Sequence, residues 1–509
     1  MDIEPPRLGR RQVNLVFFGL MVALLLAALD QTIVSTALPT IVGDLHGVEH
    51  IGWIVTAYLL ASTIGLPIYG KLGDLVGRKV VFQAAIVIFL IGSVLCGMSQ
   101  NMPELVAFRA LQGLGGGGLM IGVQAIVADL VSPRERGRYT GIIGAVWGLS
   151  SVIGPLIGGF LTDQASWRWC FYVNLPLGLL AFVLTSVLLK LPKPRVRPRL
   201  DILGTALLAG TSTCVVLVTS WGGTEYAWNS PMIVSLAALA VVLAVGFVFA
   251  ERAAAEPIIP LHLFRQNLFV VPAAISVFVG VGMFAAIAYL PTFLQMVNGA
   301  TATESGLLML PMVAGITLTS IGSGRVIAAT GRYRMFPIAG MGVLTLGLVL
   351  LSRMTADSSM ALNGLYMFVT GLGLGMMMQT LVLIVQNSVE YRDVGAATSA
   401  VNYFRQTGAS LGTSLVGAVF IHRLTTELAG SGARLPVRGI NSITPQMVQQ
   451  LPPPVRTVIA HAYAAALPPI FLYVAPVVAI GFVLAFFVKE IPLSERLAAP
   501  PADMAAHSG

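Results

Sequence analysis

The chain is poor in charge. Asp, Glu, Lys and Arg make up 10% of its 509 residues and hydrophobic side chains 56%, whereas an ordinary soluble domain is about a quarter charged. This excludes a solvated globular chain and predicts a polytopic membrane protein, with nearly all its length in the bilayer. Cysteine is scarce as well. Cys96, Cys170 and Cys214 are scattered, odd in number and lack metal-ligand spacing, so neither a disulfide framework nor a zinc site is expected. Nucleotide motifs fail on inspection. GLPIYGKL (65–72) nearly fits a P-loop, but Leu72 stands where Ser or Thr belongs and no strand precedes it. Gly113, Gly115 and Gly118 satisfy G-x-G-x-x-G yet fall mid-span, where no dinucleotide fits. Any transport must therefore draw on an ion gradient or run downhill. No His, Ser or Cys constellation faces a common loop, so an enzyme is not expected. A sensor or scaffold is disfavoured too, because no soluble domain exists to pass on a signal.

What the chain has is apolar runs. About twenty apolar residues cross a bilayer as a helix. Runs of that length predict an all-α protein of fourteen transmembrane helices, near 13–37, 50–70, 80–99, 104–128, 138–161, 168–189, 201–220, 231–250, 268–292, 304–327, 335–352, 360–387, 398–422 and 467–488. The first run is too long for a signal peptide and no small-residue cleavage site follows, so it reads as a retained span. Orientation follows from Lys and Arg. Placing the N-terminus in the cytoplasm puts 22 of the 30 basic residues on that side. Both termini land there only with an even number of spans. The net charge of +8 is thus a topology signal and not a nucleic-acid footprint. The expected location is the cell (inner) membrane. Residues 423–466 read as a long outer connector, with a possible helix around His461.

Residues 13–29 carry no charge, and Asp30 then sits within ALDQTIVSTALP (28–39). An ionised Asp in mid-bilayer costs about 2.5–3.5 kcal/mol on insertion scales. Such a side chain needs a partner, a water-filled cavity or a proton, and by default it marks a transport pathway. Arg109, one turn into the fourth span, has the same need. Gln112, Gly116 and Met120 follow it at helical spacing, which makes one stripe of that helix polar or open. The second half of the chain has no carboxylate deep within a span, which argues against a divalent-cation pump. Uncharged side chains there suit an amphipathic or monocationic molecule. The candidates for a substrate cavity are Gln31, Tyr58, Gln112, Met120, Tyr289, Gln379 and Asn402. Arg405, near the start of the thirteenth span, either favours an anion or snorkels to the interface, and the second is expected.

The chain also repeats itself. GKLGDLVGRK (70–79) and GRVIAATGRYR (324–334) each hold a Gly seven residues before a Gly-Arg pair, and the second copy has Ala328 where the first has Asp74. Internal duplication marks transporters built from two related bundles. The expected division is an N-terminal six-helix bundle (1–190), a basic linker with an inserted helix pair (191–265), a C-terminal six-helix bundle (266–490) and a disordered cytoplasmic tail (491–509). Gly144, Gly148, Gly154, Gly158 and Gly159 mark the fifth helix as a close-packing face, with Pro155 among them to bend it or free a carbonyl.

These motifs carry a resemblance. Asp74 with Gly77, Arg78 and Lys79 resembles the loop signature of the major facilitator superfamily. ALDQTIVSTALP resembles the first-helix motif of that family's fourteen-helix drug:proton antiporter branch. FRALQGLGGGG (108–118) resembles its fourth-helix motif with a buried Arg, and GLSSVIGPLIGG (148–159) its fifth-helix antiporter motif. NYFRQTGASLG (402–412) is similar to a stretch of the thirteenth helix. The resemblance implies that Asp30 and Arg109 lie near each other and handle a proton. It implies that Gly70, Asp74, Gly77, Arg78 and Lys79 form a gating loop that latches the cytoplasmic side. It also implies that Gly148, Gly154, Pro155, Gly158 and Gly159 form a bundle interface that limits leak. The implied activity is multidrug efflux by alternating access, in which a monomer without cofactors exports amphipathic compounds and the proton is the coupling ion. The alternative is an exporter of an endogenous lipid, siderophore or metabolite. Either way the partners are small molecules and membrane lipid.

Overall fold

The computed structural model describes residues 10–45, 51–189, 191, 201–223, 225–430, 447–448 and 451–493. Most of the basic linker 190–200, the stretch 431–446 of the outer connector and the tail 494–509 lie outside the described residues. The rest is helical. In lipid every backbone donor and acceptor must be satisfied within the segment, which a helix does. We number the long helices α1 (Arg10–Leu45), α2 (Ile51–Val76), α3 (Arg78–Met98), α4 (Met102–Leu130), α5 (Pro133–Gln164), α6 (Asn174–Leu188), α7 (Ile202–Trp221), α8 (Pro231–Ala253), α9 (Asn267–Met296), α10 (Leu310–Thr330), α11 (Met335–Leu351), α12 (Met360–Met378), α13 (Val394–Gly430) and α14 (Pro468–Ala485). Shorter helices precede α6, α10 and α14, and Thr380–Ser388 continues from α12.

Each of the fourteen expected runs overlaps one of these long helices, and 168–189, 304–327 and 360–387 also take in a shorter neighbour. Among the described residues, however, twelve helices are long and apolar enough to cross a membrane. α11 has 17 residues and α13 is outside the twelve. α13 is long but rich in Gly, Ser, Thr and amide side chains. The helix expected around His461 is there, at Pro453–Ala466. The described part of the segment expected to be a connector, 423–466, is packed. α13 runs on to Gly430, and Ile459, Ala462 and Tyr463 pack against its Leu424 and Leu428.

Glycine sets how close the helices come. α4 lies between α2 and α3, and a Cβ at Gly113 would meet the Tyr58 backbone, one at Gly117 that of Ser62, and one at Gly115 that of Phe89. Small residues allow such backbone contact in lipid. α7 packs on α2, α13 and α8. α8 turns Val241, Val242, Val245 and Phe249 outward.

Candidate functional site

Asp30 sits in the middle of α1 with none of its surface exposed. Arg109 donates from Nη1 to its Oδ2 at 2.6 Å. Gln112 and Asn174 donate from their amide nitrogens to its Oδ1 at 2.7 and 3.0 Å. The same two amides reach the Ser93 hydroxyl, at 2.6 and 2.9 Å. Arg109 also donates to the Gln112 carbonyl oxygen at 2.7 Å and to the Ile54 backbone carbonyl. Its guanidinium lies 4.3 Å from the centroid of the Tyr58 ring. Four helices (α1, α3, α4, α6) thus converge on one carboxylate, and all five hydrogen-bonding side chains are buried. A charge taken out of water needs both a counter-charge and hydrogen bonds, and this one has both. Ser93 and Asn174 are not apparent in the sequence, because each is a lone polar residue in an apolar run. Gln112 and Tyr58, expected in a substrate cavity, lie against the ion pair.

A second polar cluster closes one end of the bundle. Arg78 pairs with Asp74 at 2.9 Å, pairs with Asp129, and donates to the Ala125 carbonyl at 2.8 Å. Asp74 accepts from the backbone N–H of Gly395 and Ala396 at 3.2 and 3.0 Å. These are orphan donors of the first turn of α13, where the helix dipole favours an anion. Gly70 lies where a Cβ would meet Gly395 O at 2.6 Å, so α2 and α13 cross in contact. Gly77 holds a φ of 111°, open to glycine and strained for other residues, and this sets the turn from α2 to α3. Lys79 stands apart and donates to the Ser186 carbonyl at 2.7 Å, tying α3 to α6.

The glycines of α5 face two ways. At Gly154 a Cβ would meet Thr32 Cβ at 2.6 Å and at Gly158 Ile33 O at 2.7 Å, both on α1. At Gly148 it would meet Val313 Cγ1 on α10 at 3.1 Å, across the seam between the halves. Gly159 has nothing nearer than Thr303 Oγ1 at 3.6 Å, an ordinary contact. Pro155 lies inside the helix.

The remaining expected residues are dispersed. Gln31 and Met120 are half-buried, and Gln379 is buried at the break between α12 and Thr380–Ser388. Asn402 donates to the Gln124 side chain of α4 at 2.7 Å, a contact between the halves. Tyr289 lines a cavity against α13 and donates to the Thr413 carbonyl at 2.9 Å. Arg405 does not snorkel. It is 5% exposed, donates to the Met378 carbonyl at 3.1 Å and pairs with the Asn402 side-chain oxygen. The break at Gln379 frees carbonyls at the C-terminus of α12, and a guanidinium there satisfies both the acceptor and the dipole.

Apolar helices around a buried ion pair and a closed polar end define a polytopic membrane transporter. The chain belongs to the Major Facilitator Superfamily, whose family model matches residues 20–413. It is 42% identical over 493 residues to an MFS-type transporter of Mycobacterium tuberculosis, covering 96% of this chain and 71% of that one. It is 37% identical over 513 residues to the Multidrug transporter protein MdtP of Bacillus subtilis (95% and 94% covered). It is 36% identical over 429 residues to Multidrug resistance protein 3 of the same organism (82% and 83%). Among solved structures it is similar to the human organic anion transporter MFSD10, with a TM-score of 0.61, 16% identity and coverage of 95% and 100%. At that identity the likeness shows the fold alone. The protein is a transporter and not an enzyme.

Proposed function

We propose that the chain is a proton-coupled secondary antiporter that exports hydrophobic or amphipathic compounds, neutral or singly cationic, by alternating access. The observation that carries this reading is the complete burial of the Asp30 carboxylate against Arg109. Ionised, the acid neutralises the guanidinium and accepts from two amides. Protonated, it leaves Arg109 buried without a counter-charge, which is costly in a low-dielectric interior. Proton uptake can therefore favour an arrangement in which Arg109 is differently placed, and so bias one facing state over the other. The names of the Bacillus relatives, a multidrug transporter and a multidrug resistance protein, support drug efflux.

In this reading all fourteen long helices cross the cell (inner) membrane, with both termini in the cytoplasm, as the Lys and Arg bias favours. Residues 1–190 and 266–490 are the two moving bundles, with 191–265 inserted between them. The Asp74 end is then cytoplasmic, and its contacts with α13 hold an outward-facing state. The gating loop and the α5 glycines act in that movement, the proton is the coupling ion, no cofactor is needed, and a lipid-embedded monomer suffices. The test is purified protein in vesicles, challenged with a compound panel while internal pH is recorded. Compound addition is expected to move protons in the wild type and not in Asp30→Asn, which still inserts. Undiminished uphill transport by Asp30→Asn rules the mechanism out.

A further inference from the structure

A cavity of about 340 Å³ lies between α2, α7, α9 and α13, within the size range of small-molecule sites. It is away from the Asp30 cluster, which contributes no side chain to it. Its lining mixes apolar side chains such as Leu59, Val216 and Phe284 with hydroxyls such as Thr56, Thr219 and Ser410, and among the described residues includes no charged one. One wall is α7, part of the inserted segment and outside both copies of the repeat. α7 is held to α13 by neutral hydroxyl pairs, Ser212 with Tyr403 and Thr219 with Ser410, each at 2.8 Å. The pairs are seven residues apart on each helix, so the two run parallel and touch along one stripe. Trp221, at the end of α7, stacks edge-to-face on Trp53 of α2 at 5.7 Å. An ion pair anchors the far end of the insertion, where Lys71 of α2 meets Glu256 at 2.6 Å. At the level of the cavity, by contrast, the contacts between α7 and α13 are uncharged, and a ligand's own hydroxyl or carbonyl groups can replace them.

We propose that this cavity binds a neutral amphiphile, an apolar body carrying hydroxyl or carbonyl groups, and that α7 is its movable side wall. This narrows the export reading above, on which it rests, and gives the inserted helix a task. The absence of charge in the lining disfavours a cation, which needs a counter-charge when desolvated. The hydroxyls supply both donors and acceptors to an uncharged ligand.

The test uses the full chain and Nile red, a neutral, carbonyl-bearing fluorescent amphiphile, as probe. Val216→Trp fills the cavity from α7, and Val242→Trp places the same bulk on the outward face of α8. Val216→Trp is expected to weaken equilibrium binding of Nile red to purified protein at least tenfold, and Val242→Trp less than twofold. Binding within twofold of wild type in Val216→Trp overturns the site. Should Val216→Trp fail to fold, the pair Thr219→Cys/Ser410→Cys takes its place. Oxidation to a cross-link is expected to slow Nile red exchange at least tenfold, with reduction restoring it. Unchanged exchange in fully cross-linked protein overturns the movable wall. Because binding and exchange are read without a gradient, they decide the matter even if the wild type moves no protons, which would count against the antiport reading alone.

Discussion

Arg134, at the start of α5, donates to the backbone carbonyl of Ala328 at 2.8 Å, and Ala328 holds the place in the second repeat that Asp74 holds in the first. The neighbouring Ala329 carbonyl accepts from the same guanidinium at 2.7 Å. The two copies therefore make the same crossing with opposite polarity. In one, a carboxylate on α2 accepts from the first turn of α13. In the other, the last-turn carbonyls of α10 accept from a cation on α5. Each places charge where the helix dipole favours it. The glycines keep their tasks in both copies. Gly70 and Gly324 allow contact with α13 and α5, and Gly77 and Gly331 both take positive φ, at 111° and 71°. The repeat conserves geometry and exchanges the charged partner.

Asp74→Asn should loosen this end. The amide can still accept one N–H, but α13 loses its anion and Arg78 keeps Asp129 as its only carboxylate partner among the described residues. A charge-assisted bond replaced by a neutral one costs roughly 1–2 kcal/mol. Spin labels at the exposed Val80 and Val326 would report it. The expected result is a distance distribution shifted to longer values than in wild type. Arg134→Lys should produce a smaller shift, since an ammonium lacks the fork that spans two carbonyls.

Asn174→Leu tests a residue the sequence did not reveal. It removes one donor from the Asp30 carboxylate and one from Ser93. A buried carboxylate and a buried hydroxyl each lose a hydrogen-bond partner, at about 1–3 kcal/mol per group. Asn174→Leu should therefore lower the melting temperature and weaken compound-driven proton movement. Wild-type values of both would mean that Asn174 only packs.

The sequence makes the apolar runs legible because lipid imposes length and composition directly. It makes Asp30 and Arg109 legible because a charge in such a run stands out, and they lie 2.6 Å apart. Ser93 and Asn174 lie 81 residues apart in uncharged surroundings, and only the converging helices bring them together. Arg405 was misplaced for a similar reason. The interruption at Gln379 carries no Gly or Pro to announce it, so neither the freed carbonyl nor the need for a buried cation is visible along the chain. Gln112 reads as part of a polar or open stripe, but a cavity and an ion-pair shell leave the same mark on one helix face.

Arg405→Leu should destabilise the chain, whereas Arg405→Lys should recover part of the loss. The leucine leaves the Met378 carbonyl and the Asn402 side-chain oxygen without this donor in a buried place. Each unsatisfied group costs about 1–3 kcal/mol. Lysine restores the charge at the end of α12 but offers no planar fork. Cys96, Cys170 and Cys214 are free and buried, so a thiol-reactive fluorophore reports unfolding. The melting temperature should fall in the order wild type, Arg405→Lys, Arg405→Leu. Equal values for the two variants would refute the capping role.

Two adjacent glycines of α5 should respond with opposite sign. At Gly158 a new Cβ lands 2.7 Å from Ile33 O and 3.2 Å from its Cα, and neither backbone atom can turn aside as a side-chain tip can. Gly158→Ala must push α5 away from α1, and overpacking of this kind costs about 1–3 kcal/mol. At Gly159 the nearest atom among the described residues is Thr303 Oγ1 at 3.6 Å, an ordinary contact, so Gly159→Ala fits without displacing it and removes a flexible residue from a helix interior. That change stabilises by about 0.5–1 kcal/mol. Thermal unfolding should show Gly158→Ala below wild type and Gly159→Ala at or above it. α1 carries Asp30 one turn from Ile33, so Gly158→Ala should also reduce compound-driven proton movement, and Gly159→Ala should leave it intact. Equal loss of proton movement in both would place the requirement in the motif as a whole, and not in the contact between α5 and α1.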